Sequence, residues 1–119
     1  KAFEERVFVI GGFVPDGASC VRSVLVASPQ PGPPRDPGGL AGLVGSGLAA
    51  QQRVRLRARL EALALAGPAP QLAWVAALGR PELSWVRWVR PELFCRVRYL
   101  PGTPGGWLRH ASFVGIVGR

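Results

Sequence analysis

Four arginines, Arg53, Arg55, Arg57 and Arg59, alternate along one short stretch of this 119-residue chain. Each carries a flat fork of N–H donors that matches a pair of phosphate oxygens, so phosphate contact is the chemistry this spacing offers. A solvated helix face is the plainer reading of the same residues. Arg109-His110 is a catalytic pair by residue type alone. No Ser/His/Asp arrangement accompanies it, and His110 is the single histidine. Phosphate contact by Arg109 therefore fits better than base catalysis by His110.

Gly45-Ser46-Gly47-Leu48-Ala49-Ala50 follows a short apolar run and precedes a helical period. That is the setting in which a glycine turn cradles a pyrophosphate. The acid expected about 20 residues on, to hold a ribose, is missing. Glu61 comes too early and the next acid is Glu82. A tight strand-to-helix turn is the preferred reading, with a small nucleotide-binding enzyme as the distant rival. Trp74, Trp85, Trp88 and Trp107 could stack bases or pack the interior, and packing is the expectation for each. Cys20 and Cys95 are too few for a disulfide scaffold and have no metal-ligand spacing beside them. Both are read as reduced core residues, and no metal site is expected.

Fifteen basic residues against seven acidic ones leave a net charge of +8, and Lys1 is the single lysine. Such a surplus favours a polyanionic partner, nucleic acid ahead of membrane. A GC-rich genome that writes Arg for Lys would explain the Arg excess but not the net charge. A chain of 12.7 kDa allows one compact domain, residues 1–119, with a core that needs no staples. Apolar residues at 48% and charged residues at 18% exclude wholesale disorder. The start, with Glu4 and Glu5 ahead of a short apolar run, is no secretory signal. The longest uncharged stretch, Ala62 to Gly79, is broken by Gly67, Pro68, Pro70 and Gln71. Broken backbone cannot be satisfied in lipid, so no membrane span is expected and the chain is placed in the cytoplasm.

The elements that must position these side chains are mostly strands. Arg6 to Pro15 is β-branched and aromatic, with a bulge or sharp bend at Gly11-Gly12. Val21 to Ser28 is a second strand, and Leu40 to Val44 a short third. Between them, residues 29–39 are dense in proline and glycine and read as an exposed loop. From Ala49 to Ala66, Leu56, Leu60 and Leu63 recur at helical spacing, so an amphipathic helix of about four to five turns is expected. Gly67-Pro68 ends it. Ala69 to Pro81 is open between a helical turn and a strand. Trp88 to Leu100 is a strand interrupted early by Pro91, with Phe94, Arg96 and Arg98 on one side and Cys95, Val97 and Tyr99 on the other. Leu108 to Val117 is the last strand. Arg80-Pro-Glu-Leu83 recurs as Arg90-Pro-Glu-Leu93, which is coincidence or two similar strand starts. Three strands, a helix and two strands is the order of the five-stranded oligonucleotide/oligosaccharide-binding (OB) barrel, a mostly β fold with its helix between strands three and four.

Four blocks then carry a resemblance across nearly the whole chain. They are Val9-Ile-Gly-Gly-Phe-Val-Pro15, Gly42-Leu-Val-Gly-Ser-Gly47, Trp88-Val-Arg-Pro-Glu-Leu-Phe-Cys-Arg-Val97 and Leu108-Arg-His-Ala-Ser-Phe-Val-Gly-Ile116. In this order they resemble the C-terminal OB domain of bacterial ATP-dependent DNA ligases, above all the end-joining ligase D type. The resemblance implies the same barrel, a monomer, and a nucleoid location. It implies nicked duplex DNA and the ligase's adenylation domain as partners. ATP and Mg2+ belong to that missing domain, which supplies the nucleophilic lysine; this chain alone binds neither and is inactive, with no catalytic residue of its own. The resemblance carries cofactor contact onto Lys1, Arg109 and Arg119, while nucleic-acid contact falls by charge and position to Arg53, Arg57, Arg96, Arg98 and Arg109. Lys1 matches the end of the segment that closes the adenylation domain. After Ile116 the family has Arg-Pro-Asp-Lys where this chain has Val117-Gly118-Arg119, so Arg119 takes over only part of that basic motif. Arg96 replaces the family's usual acid. The alternative is a generic OB module for single strands or proteins, with no ligase role.

Overall fold

The computed structural model describes residues 2–32, 38–102 and 104–118. The core of the proline- and glycine-rich segment, residues 33–37, on which the exposed-loop expectation mainly falls, lies outside the described residues. At its flanks Pro29, Gln30 and Gly38 are exposed, while Gly39 is buried against the Trp74 ring.

Five strands form one antiparallel sheet. They are β1 (Glu4–Asp16), β2 (Cys20–Ala27), β3 (Ala41–Val44), β4 (Arg87–Leu100) and β5 (Arg109–Val117), in the order β3-β2-β1-β4-β5. The sheet curls until its two edges meet. Ala41 and Trp107 form a parallel bridge, and the Leu108 N–H donates to the Ala41 carbonyl at 2.8 Å. Lower down, the Phe113 N–H donates to the Ser46 carbonyl at 2.7 Å. This mostly β half-barrel, with helices between β3 and β4, is consistent with the OB fold that the element order predicts.

The bend at Gly11-Gly12 is present as a register shift between Ile10 and Gly12 against both neighbours of β1. Glycine is required there because a Cβ on Gly12 would meet the Arg87 carbonyl oxygen at 2.8 Å. On the β4 side the shift is larger. Ile10 pairs with Leu93 but Gly12 with Trp88, so β4 bulges away from β1 around Pro91, which has no N–H to donate.

That bulge explains the main departure from the expected helix. Helix α1 spans Ala50–Glu61 and stops short of Ala66. The Trp88 carbonyl and Arg90 N–H are turned away from β1 and need partners. The chain after α1 supplies them: Leu65 N–H donates to Trp88 at 2.9 Å, and Arg90 N–H donates to the Leu63 carbonyl at 2.8 Å. A turn at residues 62–63 and the Ala64–Val89 bridge thus replace the last helical turn, although the Leu56 and Leu60 stripe is buried as expected. The open stretch from Ala69 to Pro81 is helical, with a 3₁₀ turn at Pro70–Leu72 running into α2 (Ala73–Ala76). A second 3₁₀ turn spans Pro81–Trp85. The single expected helix is therefore joined by shorter helical pieces.

These pieces produce two cores. Phe8, Ile10, Val24, Val97 and Phe113 fill the barrel with Leu56 and Leu60. Leu72, Val75 and Val86 cover the outside of β1–β3 over Val9, Leu25 and Ala27. β1 is therefore buried on both faces through its middle, which is why it reads as a continuous apolar run. Nothing comparable covers the outside of β4 and β5 among the described residues.

Candidate nucleic-acid interface

On β4 the expected alternation holds. Cys95, Val97 and Tyr99 are buried in the barrel, and Phe94, Arg96 and Arg98 are exposed on its outside. The register places Val7 and Gly115 beside Arg96, and Glu5 and Ser112 beside Arg98. β5 carries an extra residue at Val114, which stands exposed, because Val97 pairs with Phe113 and Arg96 with Gly115. Two bulky apolar side chains and two guanidiniums thus share one uncovered sheet face. Charge on it is only partly offset: the Arg96 Nε lies 3.9 Å from a Glu5 carboxylate oxygen. The Arg98 guanidinium is stacked 5.0 Å from the Phe3 ring centroid. Stacking uses the flat face of the guanidinium and leaves its in-plane N–H groups available. Arg109 and His110 are exposed where β5 begins.

The helix arginines divide. Arg57 is almost fully buried, and its Nη1 donates to the Gly17 and Cys20 carbonyls at 3.1 and 2.7 Å. Its Nε reaches Glu61 at 2.7 Å. Arg53 is half-buried and donates to the Val21, Arg22, Gly45 and Leu48 carbonyls, the shortest bond being 2.6 Å to Arg22. Both point beneath the helix, toward strand ends whose carbonyls need donors. Arg55 and Arg59 instead occupy the exposed side and line a groove with Gln52, Leu56, Ile116 and Gly118. The structure therefore groups Arg96, Arg98 and Arg109 on β4 and β5 and sets Arg53 and Arg57 apart from them. Lys1 and Arg119, expected at a cofactor, lie outside the described residues.

The Gly45–Ala50 turn is closed from both sides. Gly47 has φ +87° and lies against the Phe113 backbone, and Arg53 fills the space over the Gly45 carbonyl. Its glycines let the turn itself pack closely on the backbones of β2 and β5. Among the described residues, no three His, Cys, Asp or Glu gather to hold a metal ion, and no helix is long and apolar enough to cross a membrane. Both cysteines are free thiols, and burial pushes the Cys95 thiol up to about 12. Three tryptophans are half-buried as packing predicts, but Trp85 is 66% exposed. The two Arg-Pro-Glu-Leu segments take different structures, a 3₁₀ turn and the β4 bulge. Each nevertheless forms the same local ion pair, Arg80–Glu82 at 3.2 Å and Arg90–Glu92 at 3.0 Å.

Phe3, Ser112 and Val114 join the β4–β5 face although none of them is assigned a contact role in the sequence, where Ser112 and Val114 stand only within the last resemblance block. Ser112 and Val114 lie next to the marked Arg-His pair, but a bulge changes which side they face, and residue type carries no sign of it.

The family described as "ATP dependent DNA ligase C terminal region" matches residues 17–117. The multifunctional non-homologous end joining protein LigD of Pseudomonas aeruginosa is 42% identical over 76 residues, which is 64% of this chain and 9% of that protein. The crystal structure of the ligase domain from M. tuberculosis LigD superposes with a TM-score of 0.70 at 30% identity, covering 96% of this chain and 35% of that one. A mycobacterial DNA ligase D complexed with ATP and MES gives 0.67 at 29% identity, covering 98% and 35%. The chain thus corresponds to about a third of those solved ligase structures.

Proposed function

Because this chain belongs to the ATP-dependent DNA ligase C-terminal region family, we propose that it is the part of such a ligase that grips duplex DNA around a nick, in DNA repair and end joining. The observation that carries this reading is the uncovered outer face of β4 and β5, where Arg96 and Arg98 stand exposed while the matching face of β1–β3 is buried under residues 70–86. Guanidiniums at strand spacing address backbone phosphates, which supply affinity and salt dependence but little sequence preference. Phe94 and Val114 add apolar contact of the kind that suits sugars in a minor groove.

Bond-making is assigned to a separate adenylation domain, this chain's partner. There a lysine takes AMP from ATP with Mg2+ and releases pyrophosphate. AMP passes to the DNA 5′-phosphate, and the 3′-hydroxyl displaces it. Lys1 is the single lysine here, so the chain alone forms no lysine–AMP adduct and seals nothing. Lys1, Arg109 and Arg119 approach the nucleotide only when the two domains close. The protein works as a monomer in the bacterial cytoplasm, at the nucleoid.

Fluorescence anisotropy with a labelled nicked duplex, repeated at rising salt, tests the reading. Tight binding at low salt with a steep salt slope is expected. Absence of binding at low salt, or a flat salt dependence, overturns it. Exposed Trp85 favours a second reading, a single-strand module that stacks bases. Preference for single strand over nicked duplex in competition would select it.

A further inference from the structure

His110 is the only residue other than glycine with a positive φ, +52°, among the described residues. It sits at a second irregularity of β5. Arg98 pairs with Ser112 but Leu100 with Arg109, so two β5 residues, His110 and Ala111, oppose Tyr99 alone. The left-handed position of such a bulge belongs by physics to glycine. Glycine is abundant in this chain, with 16 copies, yet an imidazole occupies this position. Backbone strain of this kind persists where the side chain it places is used.

The side chain is placed in company. His110, Ser112, Arg98 and Phe3 line one cleft of about 190 Å³ at the end of the outer face. The Arg98 guanidinium carbon lies over the Phe3 ring, 5.0 Å from its centroid, which holds the cation at the cleft. Ser112 contributes a hydroxyl, whose Oγ lies 3.4 Å from the Ser46 Oγ. Among the described residues, no carboxylate lines the cleft. The acid nearest by register, Glu5, is turned to Arg96. Guanidinium, imidazole and hydroxyl thus line one cleft, three groups of different shape that can each donate to an anion.

We propose that this cleft is a phosphate-binding pocket, with Arg98, His110 and Ser112 as ligands, and that it seats one backbone phosphate of the bound duplex. The proposal rests on the duplex-gripping reading above and adds to it a point contact that fixes register along the strand. His110 is there as a ligand, at a cost to the fold.

Two variants of the full chain test this, His110→Gly and Ser112→Ala, with inorganic phosphate and the nicked duplex as probes. Glycine suits the backbone at residue 110, so His110→Gly is expected to melt no lower than the parent protein. In the parent, millimolar inorganic phosphate should shift the amide resonances of residues 110 and 112, and the duplex should displace it. Both variants should lose the phosphate shifts and bind duplex on the order of five-fold more weakly, the worth of one charge-assisted bond. Unchanged phosphate shifts and unchanged duplex affinity in His110→Gly overturn the pocket while leaving the gripping role intact. A lower melting temperature in His110→Gly overturns the claim that the histidine is kept for binding. Phosphate shifts at residues 110 and 112 in a parent protein that binds no duplex keep the pocket, reassign it to a free phosphate group, and defeat only the duplex reading.

Discussion

The Arg57 guanidinium carbon lies 5.5 Å from the centroid of the Phe13 ring, so a cation is built into the wall of the barrel. Its donors close the β1–β2 turn through the Gly17 and Cys20 carbonyls, and Glu61 balances its charge. Arg57→Ala should remove all of this at once and leave two carbonyls short of donors. A loss of about 2–4 kcal/mol in urea unfolding is expected. Arg57→Lys keeps the charge but not the fork, and should fall between the two. A loss below about 0.5 kcal/mol for Arg57→Ala would mean that the contacts are incidental.

Arg96 should behave in the opposite way. It is exposed, and its ion pair with Glu5 is long, so Arg96→Gln should change stability by less than about 0.5 kcal/mol. It should nonetheless weaken nicked-duplex binding at every sequence tested and lower the slope of log K against log salt by about one. Arg53→Gln, read by the same two assays, should lose stability because its carbonyl contacts go. An Arg96 variant with full affinity and an unchanged slope would remove β4 from the interface.

Much of this division is invisible in the sequence. The succession of strands and helix along the chain, the Gly11-Gly12 bend and the alternation from Phe94 to Tyr99 are legible because periodicity and backbone sterics fix them locally. The end of α1 is not, since Leu63, Ala64 and Leu65 are good helix residues and leave the helix only because Pro91 frees backbone groups on a strand over twenty residues away. Nor do four alternating arginines say which go inside. A signal was present: Arg57 is next to buried Leu56 and one turn before Glu61, the helix's own acid. His110's left-handed backbone has no counterpart in composition, since it arises from pairing between β4 and β5.

Cys95 gives a pH test. It is fully buried, and burial raises its thiol to about 12 from an ordinary 9.0. The folded state therefore holds its proton where the unfolded chain releases it. The sign follows: stability from this group is intact below pH about 9 and falls as pH rises toward 12, by up to about 1.4 kcal/mol per pH unit. Cys95→Ala should flatten that part of the profile, measured by urea unfolding across the window. At pH 8 a thiol reagent should modify no more than one equivalent of native protein, at half-buried Cys20, and two after denaturation.

Tyr99 ties the start of β1 to the barrel. Its Oη donates to a Glu4 oxygen at 2.8 Å and accepts from the Arg6 Nη1 at 3.3 Å. Tyr99→Phe preserves the edge-on packing against Phe8, at 5.8 Å between centroids, and deletes only the hydroxyl. Glu4 is exposed and can turn to water, so the expected cost is about 0.5–1.5 kcal/mol. Amide exchange should rise chiefly at residues 4–7. Faster exchange spread over the whole sheet would show that the hydroxyl is part of the core's cohesion and not a local tether.

Gly17 and Gly47 separate two reasons for glycine. Both have positive φ, +65° and +87°. A Cβ on Gly17 meets nothing within 4 Å, whereas one on Gly47 meets the Phe113 backbone nitrogen at 3.0 Å and crowds its carbonyl oxygen more closely still. Gly17→Ala should therefore cost only the strain of a left-handed alanine, about 1–2 kcal/mol. Gly47→Ala adds a backbone collision at the point where α1's turn locks onto β5 through the Ser46–Phe113 hydrogen bond. Its expected cost is roughly 3–5 kcal/mol, at the far end of single substitutions. Relief can come only by parting the turn from β5, so hydrogen exchange at the Phe113 amide should accelerate in Gly47→Ala and stay protected in Gly17→Ala. Equal costs for the two substitutions would place the glycine requirement in backbone conformation alone and remove the turn from the closure of the barrel.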